Sequence, residues 1–266
     1  MNANPYVTDL AGRSDLAEDP IRRYMTLSNF QRLVDTGRLW FAPLTSMEQV
    51  EMPDLFEGHL PREIADKWNR WWVEKRLPEV DGRSDPNLSE KMRRRQADAY
   101  AAIDAQKMTD TFRHDTAVSC WARGEESLPM WSVYGERARG VALVSSTRLL
   151  VEGFREYLEN SDASLIVDRV KYHRLGQLRR LRMGTLNPLS IGFIKRPAFA
   201  WESELRIAFT SAHGKGHGLR INLATSVSEV VVGPMASKRR VNAIRRMIPA
   251  SLPVRQSDLL LLETWG

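Results

Sequence analysis

The sequence contains a single cysteine, Cys120, so no disulfide can form within the chain. Such sparse cysteine usage is typical of a reducing compartment, and we expect a cytoplasmic protein. Long apolar runs are also missing, since stretches such as residues 259–262 and 230–232 are far too short to cross a bilayer. Residues 1–20 are polar and acidic without an apolar centre, which excludes a signal peptide and predicts a flexible lead over residues 1–19. The sequence therefore predicts a soluble protein with no membrane partner.

The overall composition is that of an ordinary globular protein. Hydrophobic residues make up 42% of the chain and charged residues 27%, which argues against disorder. A length of 266 residues lies near the upper end for one domain. We therefore expect one α+β domain over residues 20–266.

Positive charge is concentrated in two blocks of the sequence. The net charge is +6, and residues 169–182 contain six Lys or Arg and no acid, while residues 238–246 contain five and no acid. Such blocks attract phosphate groups on nucleic acids, nucleotides or acidic partners. The alternative is a solvated helix face.

The best-defined local pattern is a strand–helix–strand unit near the start of the domain. Residues 21–26 fit a strand, and Ser28 with Gln31 forms a capping box for a helix that ends at Gly37. Residues 39–42 predict the second strand.

Helical periodicity then dominates residues 55–113, where Leu60, Ile64, Trp68 and Trp72 recur every four residues. We expect a helical insertion that covers a sheet. Strands return later in the chain, with a short helix expected to begin at Pro129 and helices at residues 147–158 and 238–248. The expected strands are at 117–121, 140–145, 165–172, 204–210, 219–223, 229–232 and 254–260. This pattern favours an α+β fold over a doubly wound sheet.

An ordered set of short blocks resembles a bacterial family of unassigned function, the domain of unknown function 2971. The blocks are Arg23-Tyr24, Leu39-Trp40-Phe41, Val118-Ser119-Cys120-Trp121, Met130-Trp131-Ser132-Val133-Tyr134 with Arg139-Gly140-Val141, Trp201-Glu202-Ser203-Glu204-Leu205-Arg206 and Glu229-Val230-Val231-Val232-Gly233. Together they cover residues 20–260. Where the family usually shows Asn-Asp-Pro-Phe, this chain has Pro53-Asp54-Leu55-Phe56-Glu57, which leaves the role of the loop at residues 43–58 open.

More distantly, the layout resembles the ADP-ribosyltransferase superfamily. Those enzymes place a basic residue on the first strand, a hydroxyl group on a middle strand and a Glu on a later strand. The resemblance implies a mixed, mainly antiparallel split β-sheet, NAD as the substrate, and Arg23, Ser119 and Glu204 as the catalytic set. It also implies a toxin or defence effector that an inhibitor or antitoxin restrains. The acceptor of ADP-ribose is left open among nucleic acid, protein and small molecule, and no metal is expected.

These residue types fit the chemistry of the nicotinamide–ribose bond, which breaks through an oxocarbenium-like sugar. A carboxylate at Glu204 would stabilise the positive sugar, and the guanidinium of Arg23 would bind two pyrophosphate oxygens. Ser119 would bond the nicotinamide ribose. The predicted cofactor-binding residues are Arg23, Tyr24, Trp131, Tyr134, Glu202 and Arg206.

A structural role is the alternative for each candidate. Glu204 and Arg206 share a strand face and could form an ion pair at a sheet edge. Trp131 and Tyr134, three apart on a helix, could both pack in the core. Arg23 could be a surface cation, and Ser119 a buried structural serine.

A different function is also open, that of a non-catalytic module that binds nucleic acid through the basic blocks at residues 169–182 and 238–246. Its affinity would depend strongly on salt.

Overall fold

The computed structural model describes residues 16, 18–45, 67, 89–92, 94, 95, 99, 114–159, 164–178, 192–210 and 217–260. Most of the predicted helical insertion at residues 55–113 lies outside these ranges, and so do most of the lead predicted over residues 1–19 and part of the basic block at residues 169–182. Within the described ranges, no helix combines the length and the apolar character that a membrane span requires.

The described domain begins with the expected strand–helix–strand unit. Strand β1 spans Pro20–Met25, helix α1 spans Leu27–Thr36 and strand β2 spans Arg38–Pro43. The helix is capped by Thr26, whose side chain accepts a hydrogen bond from the backbone N–H of Asn29 at 3.3 Å, so the prediction of Ser28 as the cap is wrong by two residues. Gly37 ends the helix with a φ of 61°, a left-handed conformation that costs glycine little.

The later elements alternate between strands and short helices. They are β3 (Thr116–Arg123), α2 (Leu128–Val133), β4 (Val141–Ser146), α3 (Thr147–Gly153), α4 (Arg155–Glu159), β5 (Ser164–Arg169), β6 (Lys171–Tyr172), α5 (Leu175–Leu178), β7 (Ile194–Lys195), a 3₁₀ helix (Pro197–Glu202), β8 (Glu204–Thr210), β9 (His217–Arg220), α6 (Leu223–Ser226), β10 (Glu229–Val232), α7 (Lys238–Met247) and β11 (Val254–Gln256).

Several predicted boundaries are confirmed and others are corrected. The strands predicted at residues 204–210 and 229–232 are found with those bounds. The helix predicted over residues 147–158 is two helices, α3 and α4, which meet at Gly153 and Phe154. The strand predicted at residues 254–260 ends already at Gln256.

Nine of the described strands form one mainly antiparallel sheet, which agrees with the expected α+β class. Its main path runs β11-β10-β4-β1-β3-β2-β9, and β8 joins it beside β3, with β5 on the far side of β8. Within this sheet the pairing of β10 with β11 is parallel. A separate short pair, β6 with β7, is also parallel.

One edge of β3 is shared by two strands that do not meet along it. Strand β8 pairs with β3 from Thr116 to Ala122 and so occupies one edge completely. On the other edge, β1 pairs only at Ala122 and Arg123, and β2 pairs only at Ala117 and Val118. Residues 119–121 therefore face an opening in the sheet between β1 and β2.

Side chains alternate between two buried layers on the two faces of the sheet. The larger core, which we call the main core, includes Ile21, Leu143, Val230, Leu205, Ile207 and Phe209 together with helix residues such as Phe30 and Leu150. The opposite face carries a smaller cluster around Tyr24, Trp131, Ala142 and Val231 and another around Val118 and Ala208. Successive side chains of a strand point to opposite faces of the sheet. The register of the strands therefore determines which candidate side chains lie on the same face.

A glycine substitution tests the packing beside β1. A Cβ at Gly140 would collide with the backbone carbonyl oxygen of Met25 and with the backbone of Gly135, so Gly140→Ala should reduce the free energy of unfolding by about 2 kcal/mol. At Gly176, no atom of the described residues lies within 4 Å of an added Cβ, which makes Gly176→Ala the matched control. Urea denaturation of both variants checks this, and equal stability of the two would contradict the described packing.

Candidate functional site

Arg23 occupies the opening between β1 and β2. Its Nη1 donates to the hydroxyl of Ser119 on β3, and its Nη2 donates to the backbone carbonyl of Trp40 on β2 at 2.8 Å. The Ser119 hydroxyl also accepts from the indole Nε1 of Trp121 at 2.9 Å. The guanidinium of Arg23 on β1 thus forms hydrogen bonds with both β3 and β2 across the opening.

Burial of Arg23 changes its acidity without removing its charge. Desolvation lowers the pKa of the guanidinium to about 10. The side chain therefore remains a cation at neutral pH, in surroundings where an anion would be attracted strongly.

A cleft of about 670 Å³ lies against Arg23 and the adjoining helix α1. The described residues that line it are Arg23, Tyr24, Met25, Thr26, Asn29, Arg32, Leu33, Thr36, Arg38, Leu39, Trp40, Val133, Tyr134 and Gly218. Three of these are arginines, and no carboxylate is among them. The volume suits a small organic ligand, and the charge favours one that carries phosphate or carboxylate groups.

An exposed aromatic surface adjoins the arginines. Trp40 is 42% exposed, and the Cζ of Arg32 lies 5.1 Å from the centroid of its ring. Arg38, also on β2, donates from Nη1 to the carbonyl of Gly218 at 2.8 Å. The guanidinium of Arg32 is thus attracted to the face of the exposed indole, and both groups border the cleft.

Two acids and two bases form a buried ion-pair group close to the cleft. The Nζ of Lys195 lies 2.6 Å from Oε2 of Glu202 and 2.8 Å from Oε2 of Glu204. Arg206 donates two hydrogen bonds to Glu204, from Nε to Oε1 at 2.7 Å and from Nη2 to Oε2 at 3.1 Å. The four charges balance, which is what permits their burial.

The two carboxylates of this group differ in acidity. Burial raises the pKa of Glu204, but the charges of Arg206 and Lys195 outweigh it, and the pKa lies far below its usual range. Burial raises the pKa of Glu202, and the charge of Glu204 raises it further, against the opposing effect of Lys195.

Tyr134 connects the buried ion-pair group to the cleft. Its phenol donates to Oε1 of Glu202 at 2.9 Å, and its ring stacks on that of Trp201 with 6.4 Å between centroids. Desolvation and the nearby Glu202 raise the pKa of Tyr134, so the phenol keeps its proton at physiological pH.

An unusual turn follows Tyr134. Glu136, Arg137 and Ala138 have φ values of 53°, 52° and 64°, the left-handed region that non-glycine residues rarely occupy in succession. The carboxylate of Glu136 accepts from the backbone N–H of Leu27 at 3.0 Å, at the start of α1. The turn therefore fixes Tyr134 relative to the helix that forms the opposite wall of the cleft.

The structure brings some of the predicted site residues together and separates others. Arg23 and Ser119 are in contact, but Ser119 is 0% exposed and pairs across the sheet with Ile207 of the main core. Glu204 pairs with Ala122 and is 4% exposed. Because paired residues share a face and parity alternates, Ser119 and Glu204 point to opposite faces of the sheet. The structure does not bring Glu204 into the cleft beside Arg23.

The remaining predicted cofactor residues are divided between cleft and core. Trp131 is fully buried, and its indole donates to the Glu126 carboxylate at 3.1 Å. It is not among the described residues that line the cleft. Tyr24 packs edge-on against Trp131 at 4.8 Å and also contributes to the wall. Arg206 is 0% exposed within the buried ion-pair group. Tyr134 lies in the wall, as the sequence suggested.

Glu202 is not on the strand with Glu204 and Arg206. It ends the 3₁₀ helix, and Ser203 follows in a left-handed conformation with a φ of 45°, which separates Glu202 from the alternation of β8. Glu204 and Arg206 do share a face of β8, as the alternation predicts.

Sequence reasoning missed three contributors. Arg32, Arg38 and Trp40 line the cleft. Arg32 and Arg38 belong to no motif, and Trp40 lies in the Leu39-Trp40-Phe41 block but was not assigned to the site. The sequence signal that could have found them is proximity, because α1 and β2 directly follow the strand that carries Arg23. Lys195 bridges the two carboxylates of the buried ion-pair group.

No protein-family model matches the chain, and a comparison with curated proteins finds no significant match either. The two family resemblances of the sequence therefore stay predictions.

Removing one charge from the buried ion-pair group should be costly and pH-dependent. Glu204→Gln should lower the free energy of unfolding at pH 7 by about 3–5 kcal/mol, because Lys195 and Arg206 are left buried with too little compensating charge. The folded-state pKa of Glu204 lies below its unfolded value, so its stabilisation is complete above the unfolded pKa and is lost as the pH falls. The loss of stability between about pH 5 and pH 3 should therefore be smaller in the variant than in the wild type.

Urea denaturation at several pH values measures this difference. Glu159→Gln is the control, because Glu159 is exposed on α4. Equal acid sensitivity of wild type and Glu204→Gln would contradict the assigned direction of the pKa change.

Proposed function

We propose that the cleft binds NAD and that the protein is an ADP-ribosyltransferase-like enzyme. The observation that carries the proposal is the guanidinium of Arg23, held by Ser119 and the Trp40 carbonyl against a cleft with two further arginines. A fixed guanidinium presents planar donors to pyrophosphate oxygens, and neighbouring cations add attraction. The exposed ring of Trp40 offers a stacking surface for a flat base or for nicotinamide.

The opening between β1 and β2 supports the same proposal. An interruption in a sheet exposes strand ends and backbone groups, and here it adjoins α1 and Tyr134. This agrees with the split sheet that the superfamily resemblance implies.

In the proposed reaction, the bond between nicotinamide and C1′ of its ribose breaks, and nicotinamide leaves with the electron pair. A nucleophile of the acceptor forms the new bond at C1′ and loses its proton. The sugar passes through an oxocarbenium-like state, which a nearby negative charge stabilises. The carboxylate connected to the cleft is Glu202, through Tyr134, while Glu204 lies behind it and is neutralised by two cations.

Substitution of Arg23 tests the binding half of the proposal. Arg23→Lys should weaken NAD binding by about 10- to 100-fold, because lysine cannot present two donors in one plane to the pyrophosphate. Arg148→Lys is the matched control, since Arg148 is an exposed arginine whose described ion pair is with Glu18. Calorimetric titration with NAD gives the affinities, and chromatography of the mixture detects released nicotinamide. Unchanged affinity in Arg23→Lys, with the wild type binding NAD, would exclude the assigned role of Arg23.

A second function, nucleic-acid binding, is favoured by the surface of α7. Lys238, Arg239, Arg245 and Arg246 are exposed on this helix. In the other basic block, the described Arg169 and Lys171 lie 3.9 Å and 3.8 Å from the carboxylates of Asp19 and Asp168. The cations of α7 are therefore the better candidates for phosphate contacts.

The salt dependence of affinity tests this second function. If Lys238, Arg239 and Arg246 each neutralise one phosphate, the logarithm of the association constant should fall with a slope of about −3 against the logarithm of salt concentration. Replacing all three by Gln should remove most of that slope, whereas Arg155→Gln on α4 should leave it unchanged. Fluorescence anisotropy with a labelled duplex measures both, and affinity that is independent of salt would rule this function out.

A further inference from the structure

The hydrogen bond between Tyr134 and Glu202 determines what kind of group a ligand can offer to Tyr134. A phenol has one proton to donate and lone pairs with which to accept. The proton of Tyr134 is donated to Oε1 of Glu202 at 2.9 Å. Lys195 lies 2.6 Å from the other oxygen of Glu202, which identifies the acceptor as a carboxylate.

Glu202 cannot easily release this bond. The residue is 3% exposed, so water does not replace the phenol as a partner, and a buried carboxylate without its donors is unfavourable. The stack with Trp201 and the left-handed turn that starts at Glu136 hold the tyrosine ring in place. The orientation of the phenolic proton is thus fixed before a ligand arrives.

We infer that Tyr134 acts in the cleft as a hydrogen-bond acceptor, held in that role by Glu202 and Lys195, and that it selects a ligand with a hydroxyl donor at this point. A phosphate or carbonyl oxygen offers no proton and is disfavoured there, whereas the arginines on α1 and β2 favour such acceptors. The ligand therefore has phosphate near the arginines and a sugar hydroxyl near Tyr134. This inference rests on the proposed function and assigns the hydroxyl to the nicotinamide ribose of NAD.

A comparison of ligands that differ by one hydroxyl tests the inference. The probes are NAD and its analogues that lack the 2′- or the 3′-hydroxyl of the nicotinamide ribose. The wild type should bind NAD about 3- to 10-fold more tightly than one of these analogues. In Tyr134→Phe this discrimination should disappear, because affinity for NAD falls while affinity for that analogue stays the same. A merely structural tyrosine would change both affinities by the same factor.

Tyr172→Phe is the matched control. The phenol of Tyr172 accepts from the backbone N–H of Glu204 at 2.8 Å, close to the same buried ion-pair group, but the residue is not among the described lining of the cleft. This variant should discriminate between the ligands as the wild type does.

The possible outcomes separate the two proposals. If the wild type binds NAD and both deoxy analogues equally, the inference about Tyr134 is wrong while NAD binding stands, and this measurement does not depend on whether the variants fold. Discrimination that persists in a folded Tyr134→Phe overturns it as well. If the wild type binds none of the three dinucleotides, the proposed function itself fails, and the inference fails with it.

Discussion

The contact of Arg23 with Ser119 and with the carbonyl of Trp40 is the constraint on which the site depends. Strands β1 and β2 pair with different parts of β3, and in the space between them the guanidinium donates to the Ser119 hydroxyl and to the Trp40 carbonyl. The same cation lies in the wall of the cleft. The fold and the wall of the cleft therefore share one side chain, whose fixed position would lower the entropic cost of binding a ligand there.

The two faces of the sheet divide the predicted catalytic set. Ser119 belongs with the main core, while Glu204 and Arg206 belong with the opposite layer, where Lys195 and Glu202 complete a balanced set of charges. Such a set is stable only as a whole, since each buried ion depends on its partners. Its connection to the cleft is the phenol of Tyr134, which donates to Glu202, whereas Glu204 is paired with both Lys195 and Arg206.

Local features of the fold followed from the sequence, and long-range ones did not. The local sequence pattern and the stop at Gly37 located β1, α1 and β2, although the N-cap was misplaced, and alternation placed Glu204 and Arg206 on one face. The break at Ser203 was invisible, because a left-handed serine has no sequence signature. The contact of Arg23 with Ser119 joins residues 96 positions apart, and it depends on a strand order that periodicity does not determine.

The charge balance among Lys195, Glu202, Glu204 and Arg206 has an evolutionary consequence. A neutral replacement at any one of these positions leaves an odd charge in an apolar layer, so single changes are selected against even where function is unaffected. Homologous chains should therefore differ at these positions in compensating pairs, an acid and a base lost or exchanged together. Such covariation would join residue 195 at the end of β7 to residue 202 at the end of the following 3₁₀ helix and to residue 204 at the start of β8.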